Sequence, residues 1–128
     1  MIKFPYQVLM GGWRPAVAVL LQSGEYSLKT SMLFDTGADI SMIPYQFGLL
    51  LGMKPEVESI SELKGIGGGI PYVLRQIQMT IGQLTFKVRI AWSMSENAPV
   101  ILGRKDVFER FRITVDEKEK VTEWVVKS

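Results

Sequence analysis

The sequence predicts a mainly β fold with two short helices, and three observations support this prediction. Short apolar runs, several of them rich in β-branched residues, recur along the chain with glycine-containing or charged turns between them. They group into three predicted hairpins, at residues 16–34, 73–92 and 111–126. Helical patterns are few and short. Hairpins with this spacing are typical of a small closed barrel or a sandwich.

The first two hairpins have clear strand and turn signals. The apolar run 16–21 leads into a Ser-Gly-Glu turn, and a second apolar-rich strand follows at 28–34. Residues 73–81 alternate between two faces, and a Gly-Gln turn joins them to the strand 84–92. Both patterns predict antiparallel strand pairs.

The third hairpin and the two helices complete the predicted elements. Strands at 111–115 and 121–126 flank the charged run 116–120, which we interpret as a solvated turn. A helix is predicted from Pro44, with three apolar side chains on one face and a glycine at its end. A second helix is predicted at 104–111, where apolar residues follow an i, i+3, i+4, i+7 spacing.

Length and composition predict one globular domain over residues 1–128. The chain is 47% hydrophobic and 22% charged, and it contains no repeat or linker. Its formal net charge is only +2, and no basic cluster is longer than Arg104-Lys105. We therefore expect no nucleic-acid partner, because nucleic-acid binding depends on clustered positive charge.

The chain has no histidine and no cysteine, which excludes several kinds of site. Disulfides, cysteine nucleophiles, histidine-dependent relays and the usual zinc ligands are all absent. We expect no metal and no cofactor. If the protein is an enzyme, its proton transfers must use carboxylates, lysine, tyrosine or water.

No targeting or membrane-spanning pattern is present in the sequence. The apolar run 16–21 is far shorter than the about 20 residues needed to cross a bilayer. The first five residues lack the apolar core of a signal peptide. We expect a cytoplasmic protein with no membrane partner.

Asp35 is the principal candidate for chemistry. It follows directly on an apolar strand, where an ionised carboxylate is costly unless it is hydrogen-bonded or functional. Gly37 allows the backbone to turn, and the Thr36 hydroxyl can brace that turn. The alternative is a purely structural Asx turn in which Asp35 binds only nearby backbone N–H groups.

Two further segments bear on this choice. Residues 65–71 form a glycine cluster, which would otherwise be a flexible hairpin tip and which lacks the Gly-Lys-Ser/Thr of a phosphate loop. Residues 100–106 run from an apolar strand through Gly103 into a charged segment, which alone would be an ordinary strand-to-helix junction.

Together, the three segments resemble the retropepsin family of aspartic peptidases. The resemblance rests on Phe34-Asp35-Thr36-Gly37-Ala38-Asp39 with Ser41-Met42-Ile43-Pro44 behind it, on the glycine-rich stretch 65–70 at the position of the flap, and on Ile101-Leu102-Gly103-Arg104 as the second signature. Their order and separation fit over residues 13–115. The resemblance implies a closed acid-protease β-barrel subunit and an aspartic endopeptidase that cleaves extended peptides.

The resemblance also implies a homodimer with two-fold symmetry. Aspartic peptidases need two catalytic aspartates, but the Asp-Thr-Gly signature occurs only once, since Asp39, Asp106 and Asp116 do not repeat it. Each subunit would contribute one Asp35 to a shared site on the axis. Two close carboxylates hold one proton between them, so that one acts as a base towards water and the other as an acid.

Individual roles follow from the matched motifs. Asp35, Thr36 and Gly37 would be catalytic, with Thr36 bracing the two active-site loops and Gly37 presenting backbone to the substrate. Asp39 would contact substrate backbone or form a structural ion pair with Arg104. The expected substrate-binding residues, which include apolar pocket walls and a flap that closes over the peptide, are Leu33, Ala38, Asp39, Ile40, Met42, Ile66, Gly67, Gly68, Gly69, Ile70 and Ile101.

Several features depart from the viral members and are closer to prokaryotic relatives. The predicted hairpin at 111–126 extends beyond the short viral C-terminus, and the helix after Pro44 is an addition. Three successive glycines at 67–69 leave the flap-tip register open, and Lys105 replaces the usual Asn or Asp. A dimer contact through terminal strands, as in the viral enzymes, is therefore not assumed, and the segments that form the dimer contact are left open. Trp13, Trp92 and Trp124 are expected in the core or at the dimer contact.

Two other functions remain open at this point. One is a catalytically silent, dimeric peptide-binding module of the same fold, in which Asp35 is structural. The other is a small β-barrel that binds an apolar ligand, which would have no reason to place Asp35 at a subunit contact.

Overall fold

The computed structural model describes residues 1–55 and 69–128, and within them the protein is mainly β. The elements in chain order are β1 Ile2–Pro5, β2 Gln7–Leu9, β3 Gly12–Arg14, β4 Ala16–Ser23, β5 Tyr26–Phe34, β6 Ser41–Ile43, α1 Tyr45–Leu50, β7 Tyr72–Ile81, β8 Leu84–Ser93, β9 Ile101–Leu102, a 3₁₀ helix Phe108–Arg110, β10 Phe111–Asp116 and β11 Val121–Val126. None of the helices in these two ranges has the length and apolarity needed to cross a membrane.

Six strands form a closed ring of pairings in the order β4-β5-β9-β6-β8-β7. The predicted hairpins β4–β5 and β7–β8 are confirmed, and β7 returns to pair with β4. The short strand β9 lies between β5 and β6, where Ile101 is paired with both Leu33 and Met42. This arrangement brings the residues after β5 next to the residues after β9.

A second sheet joins the two ends of the described chain. Strand β11 is its centre, with β1 on one edge and β10 on the other. The predicted third hairpin, β10–β11, is confirmed, with Phe111 opposite Val126 and Asp116 opposite Val121. Strand β1 pairs with β11 from Ile2 opposite Trp124 to Pro5 opposite Val121. The sequence analysis assigned no partner to residues 2–5.

The main core fills the space between the barrel strands and this sheet. Trp124 is fully buried, and its indole contacts the rings of Phe4, Phe34 and Phe111 edge to face. Trp92 is also fully buried and donates to the carbonyl oxygen of Tyr45 at 3.0 Å, which fixes α1 against β8. Trp13, in contrast, lies on the surface of the subunit.

The helix predicted at 104–111 is wrong in extent. Only Phe108–Arg110 is helical, as one 3₁₀ turn, and Phe111 already begins β10. Asp106 has a φ of 66°, which a continuous right-handed helix cannot contain. The apolar spacing that suggested a helix instead reflects the burial of Val107 and Phe111 in the core.

Candidate active site

Asp35 lies at the end of β5, and its backbone is held from both sides. The backbone N–H of Phe34 donates to the carbonyl oxygen of Pro15 at 3.0 Å, and the backbone N–H of Asp35 donates to the carbonyl oxygen of Leu102 at 3.1 Å. The first acceptor is the residue before β4, and the second belongs to β9. The position of Asp35 therefore depends on strands that are distant in sequence.

The carboxylate of Asp35 accepts fewer hydrogen bonds from the described residues than it has capacity for. Its Oδ1 accepts the backbone N–H of Gly37 at 2.9 Å, which is the local bond expected of an Asx turn. Within residues 1–55 and 69–128 it has no basic partner. Among the same described residues, Oδ2 and the remaining acceptor capacity of Oδ1 have no hydrogen-bond donor.

The loop from Asp35 to Ile40 is fastened to the segment after β9. The backbone N–H groups of Arg104 and Lys105 donate to the carbonyl oxygens of Ala38 and Asp39 at 3.0 and 2.9 Å. The buried hydroxyl of Ser41 accepts the N–H of Gly103 at 2.9 Å. These bonds hold the loop as a continuation of the barrel.

Gly103 is required for this close approach. A Cβ atom at this position would overlap the backbone of Ile40, which has no freedom to move away as a flexible side chain does. Glycine is thus the residue that allows the second signature to lie directly against the loop that carries Asp35.

Arg104 makes two further contacts with the same loop. Its guanidinium donates to the carbonyl oxygen of Thr36 and to the carboxylate of Asp39. Because Asp39 is 86% exposed, this ion pair adds little to the free energy of unfolding. Its main effect is to fix the loop between Thr36 and Asp39.

An open groove of about 750 Å³ lies in front of Asp35. Its lining combines apolar walls with charged residues at one end. The lining residues are Asp35, Gly37, Ala38, Asp39, Ile40, Tyr72, Leu74, Ile101, Arg104 and Lys105. The lining comes from three separate segments of the chain, and seven of its residues, from two of these segments, were singled out in the sequence analysis.

Other predicted site residues lie elsewhere. Met42 is buried with Ala91 and Ala98, in a small cluster against which Ile40 and Ile101 pack, so it supports the groove wall without lining it. Leu33, two residues before Asp35, and Thr36, directly after it, are not part of the lining. Gly69 and Ile70 precede β7 and do not line the groove, and the predicted flap residues Ile66, Gly67 and Gly68 lie outside the described residues.

Sequence reasoning missed Tyr72, Leu74 and Lys105 as groove residues. Leu74 is 53% exposed although it belongs to a strand in the ring. The signal was present in the alternation of 73–81, which places Leu74 on the same face as Gln76 and Gln78. An apolar residue on a polar strand face is an indication of a binding surface.

Asp106 is the other acid near this segment, and it is fully engaged. Its carboxylate accepts the backbone N–H, Nε and Nη2 of Arg89 at 2.9, 2.9 and 2.8 Å. The hydrogen bond from the Arg89 side chain is the main reason why the pKa of Asp106 is lowered to about 2. Within the described ranges, no three acidic residues gather into a metal-binding group.

Comparisons with known proteins identify the fold. No family model and no curated protein sequence matches the chain. Among solved structures, it is similar to a retropepsin-like aspartic protease from Rickettsia conorii, with a TM-score of 0.68, 14% identity, and coverage of 94% of this chain and 87% of that one. It is also similar to EIAV protease in complex with the inhibitor HBY-793, with a TM-score of 0.58, 21% identity, and coverage of 80% and 92%.

The chain therefore has a retropepsin-like fold, and the resemblance inferred from the motifs is confirmed at the level of the fold. Of these two structures, the prokaryotic one has the higher TM-score and covers more of the chain. This agrees with the additional C-terminal hairpin and the helix α1, which led the sequence analysis to favour prokaryotic relatives.

Proposed function

We propose that this protein is an aspartic endopeptidase that works as a two-fold symmetric homodimer of closed-barrel subunits. The observation that carries the proposal is the partly open carboxylate of Asp35, held at the edge of a groove in a retropepsin-like fold. A single subunit offers one such carboxylate, and hydrolysis by this route needs two. Residues 1–128 act as one catalytic domain in the cytoplasm.

The chemistry requires only the two Asp35 side chains and water. The unprotonated carboxylate takes a proton from the water as its oxygen attacks the scissile carbonyl carbon. The protonated carboxyl group donates its proton to the carbonyl oxygen. The carbon–nitrogen bond of the resulting tetrahedral diol then breaks as the nitrogen receives a proton from the pair. One hydroxyl of the diol gives its proton back to the pair as the carbonyl of the new carboxylic acid forms, so the pair ends singly protonated. Neither a metal nor a cofactor takes part.

The groove favours an extended peptide with apolar side chains. Ile40, Ile101, Tyr72 and Leu74 supply apolar surface on its walls. A peptide in this position can align as an additional strand, with alternate side chains directed into the walls. Residues 66–70 are assigned to the flap that covers the peptide, Gly37 presents its backbone to it, and Thr36 braces the paired loops.

The proposal is tested by cleavage of an apolar fluorogenic peptide by the wild type and by Asp35→Asn. We expect kcat/KM to fall at least about 1,000-fold, because the amide can neither accept nor share the proton. Asp116→Asn is the matched control, since its carboxylate accepts the Glu119 N–H at the β10–β11 turn and is not part of the groove lining. On dilution, wild-type activity should fall more steeply than enzyme concentration.

Equal cleavage by Asp35→Asn and wild type contradicts the catalytic assignment. Peptide binding without cleavage at any pH instead supports the silent binding module. A protein that stays monomeric, binds an apolar small molecule and cleaves nothing supports the third possibility.

A further inference from the structure

The terminal strands of this chain are already paired within one subunit. Strand β11 has β1 on one edge and β10 on the other, so neither of its edges is free for a strand from a partner. Trp124 of β11 is also fully buried against Phe4 of β1. A dimer that exchanged these strands would first have to break this sheet.

The hairpin formed by β2 and β3 displays an unusual apolar surface. Val8, Met10 and Trp13 are 63%, 67% and 65% exposed, and all three lie within six residues of one another. Val8 is directly opposite Trp13, so their side chains share one face of the hairpin. We refer to Val8, Met10 and Trp13 as the hairpin face.

This hairpin is well formed although its face is exposed. Met10 and Gly11 have φ values of 52° and 80°, the combination that a tight two-residue hairpin turn requires. The Nε of Arg14 donates to the carbonyl oxygen of Leu9 at 3.1 Å. On the opposite side of the hairpin from Val8, Gln7 donates to the hydroxyl of Ser31 on β5 at 3.1 Å.

Met10 is an unexpected residue at the hairpin tip. Asparagine or glycine adopts a positive φ at little cost, whereas methionine is strained there. The residue is 67% exposed, so its side chain adds little to the packing of the subunit. The tip therefore displays an apolar side chain at a cost to the isolated subunit, which indicates a role outside the subunit.

The hairpin is also connected directly to the site. Strand β3 ends at Arg14, and the next residue, Pro15, accepts the N–H of Phe34, which immediately precedes Asp35. The base of the hairpin is thus bonded to the end of the strand that leads into Asp35, whose carboxylate must, in the proposed function, meet its counterpart in a second subunit.

We propose that the hairpin face packs against a second copy of this chain and forms the main contact of the dimer. This inference rests on the proposed function, because the site of one subunit is incomplete without a second Asp35. The face contains no charged side chain, so two identical faces can meet across a two-fold axis without repulsion. Burial of a tryptophan at such a contact contributes strongly to affinity.

The first test compares Trp13→Ser with Leu50→Ser, which removes an equally apolar, 58% exposed side chain from α1. Sedimentation equilibrium should show at least a tenfold rise in the dimer dissociation constant for Trp13→Ser and no change for Leu50→Ser. At concentrations that restore the dimer, Trp13→Ser should cleave peptide at the wild-type rate per dimer.

A second variant, Met10→Asn, distinguishes a role of the hairpin face in the dimer contact from a role in the stability of the subunit. Asparagine suits the positive φ, so the free energy of unfolding of the subunit should stay the same or rise, while the dimer dissociation constant rises about threefold. A general structural role of the hairpin would not move these two quantities in opposite directions.

A wild-type dimer whose dissociation constant is unchanged in both variants overturns this inference and leaves the proposed function standing. A wild-type chain that is monomeric at all concentrations also overturns it. A wild-type dimer that both variants weaken, but that cleaves no peptide, supports the contact and contradicts the proposed function.

Discussion

Asp106 ends the segment 101–106 and Asp35 is bonded to the same segment through Leu102, but their carboxylates have opposite surroundings. Asp106 receives three N–H bonds from Arg89 and is largely buried. Asp35 receives one local bond from Gly37 and faces the groove. The first acid is satisfied inside one subunit, whereas the second keeps acceptor capacity for water, substrate and another carboxylate.

The difference shows how one segment serves both the fold and the site. At its centre, Gly103 and Arg104 donate hydrogen bonds that hold the loop following Asp35 in place. At its end, Asp106 anchors the segment to Arg89 of β8. Substitutions at the contacts with the Asp35 loop and at the Arg89 contact should therefore separate effects on activity from effects on stability.

The largest effect is expected from Gly103→Ala. The added methyl group would overlap the Ile40 backbone, so the loop or β9 must move and the Ser41 bond must weaken. We expect the free energy of unfolding to fall by at least about 3 kcal/mol, measured by urea denaturation. Gly12→Ala is the control, because no atom lies within 4 Å of a Cβ at that position. Similar losses in both variants would show that the approach of Gly103 to Ile40 is unimportant.

An intermediate effect is expected from Arg104→Met, and it should appear in activity. Loss of the contacts with Thr36 and Asp39 releases the loop after Asp35, and we expect kcat/KM for peptide cleavage to fall about 10–100-fold. The free energy of unfolding should change by no more than about 0.5 kcal/mol, because the ion pair is exposed. Arg112→Met, on the exposed face of β10, should leave both quantities unchanged. An unaltered kcat/KM in Arg104→Met would contradict a role of Arg104 in positioning the loop that follows Asp35.

The smallest effect is expected from Asp106→Asn, and it should depend on pH. At pH 7 we expect a loss of about 1 kcal/mol in the free energy of unfolding, since Arg89 is half exposed and solvent screens the pair. Arg89 lowers the pKa of Asp106 from 3.8 to about 2, so the folded state favours the ionised carboxylate. Its stabilisation is therefore complete above the ordinary pKa and is lost as the pH falls towards 2.

Urea denaturation of wild type and Asp106→Asn at several pH values checks this prediction. The difference between them should shrink between about pH 4 and pH 2. Glu96→Gln, an exposed carboxylate without an ion-pair partner among the described residues, controls for the loss of one negative charge. A difference that stays constant down to pH 2 would mean that the Arg89 pair contributes nothing through ionisation.

The sequence was sufficient for the parts of the fold that are encoded locally. Alternation and turn residues predicted the hairpins β4–β5, β7–β8 and β10–β11. Through the family resemblance, the motif around Asp35 and the Ile101–Arg104 segment also predicted that these two regions meet. The ion pair of Arg104 with Asp39 was one of two roles predicted for Asp39, the other being a contact with substrate backbone.

What the sequence did not reveal depends on contacts between distant residues. The apolar spacing at 104–111 indicated a helix, but the turn at Asp106 is set by Arg89 on another strand. Tyr72 and Leu74 join the groove only because β7 is placed beside the Asp35 loop. The pairing of β1 with β11 has no local signal, since its partners stand at opposite ends of the chain.

This last pairing has a consequence for how the molecule is made. Residues 2–5 leave the ribosome early, but the strand that receives them, Val121–Val126, is synthesised more than a hundred residues later. Until β11 is synthesised, β1 has no strand partner and Phe4 cannot pack against Trp124. Strand β10 lacks its partner for the same period. Closure of this sheet is a late, long-range event in folding, and interruption of synthesis before β11 leaves apolar strand edges open to aggregation.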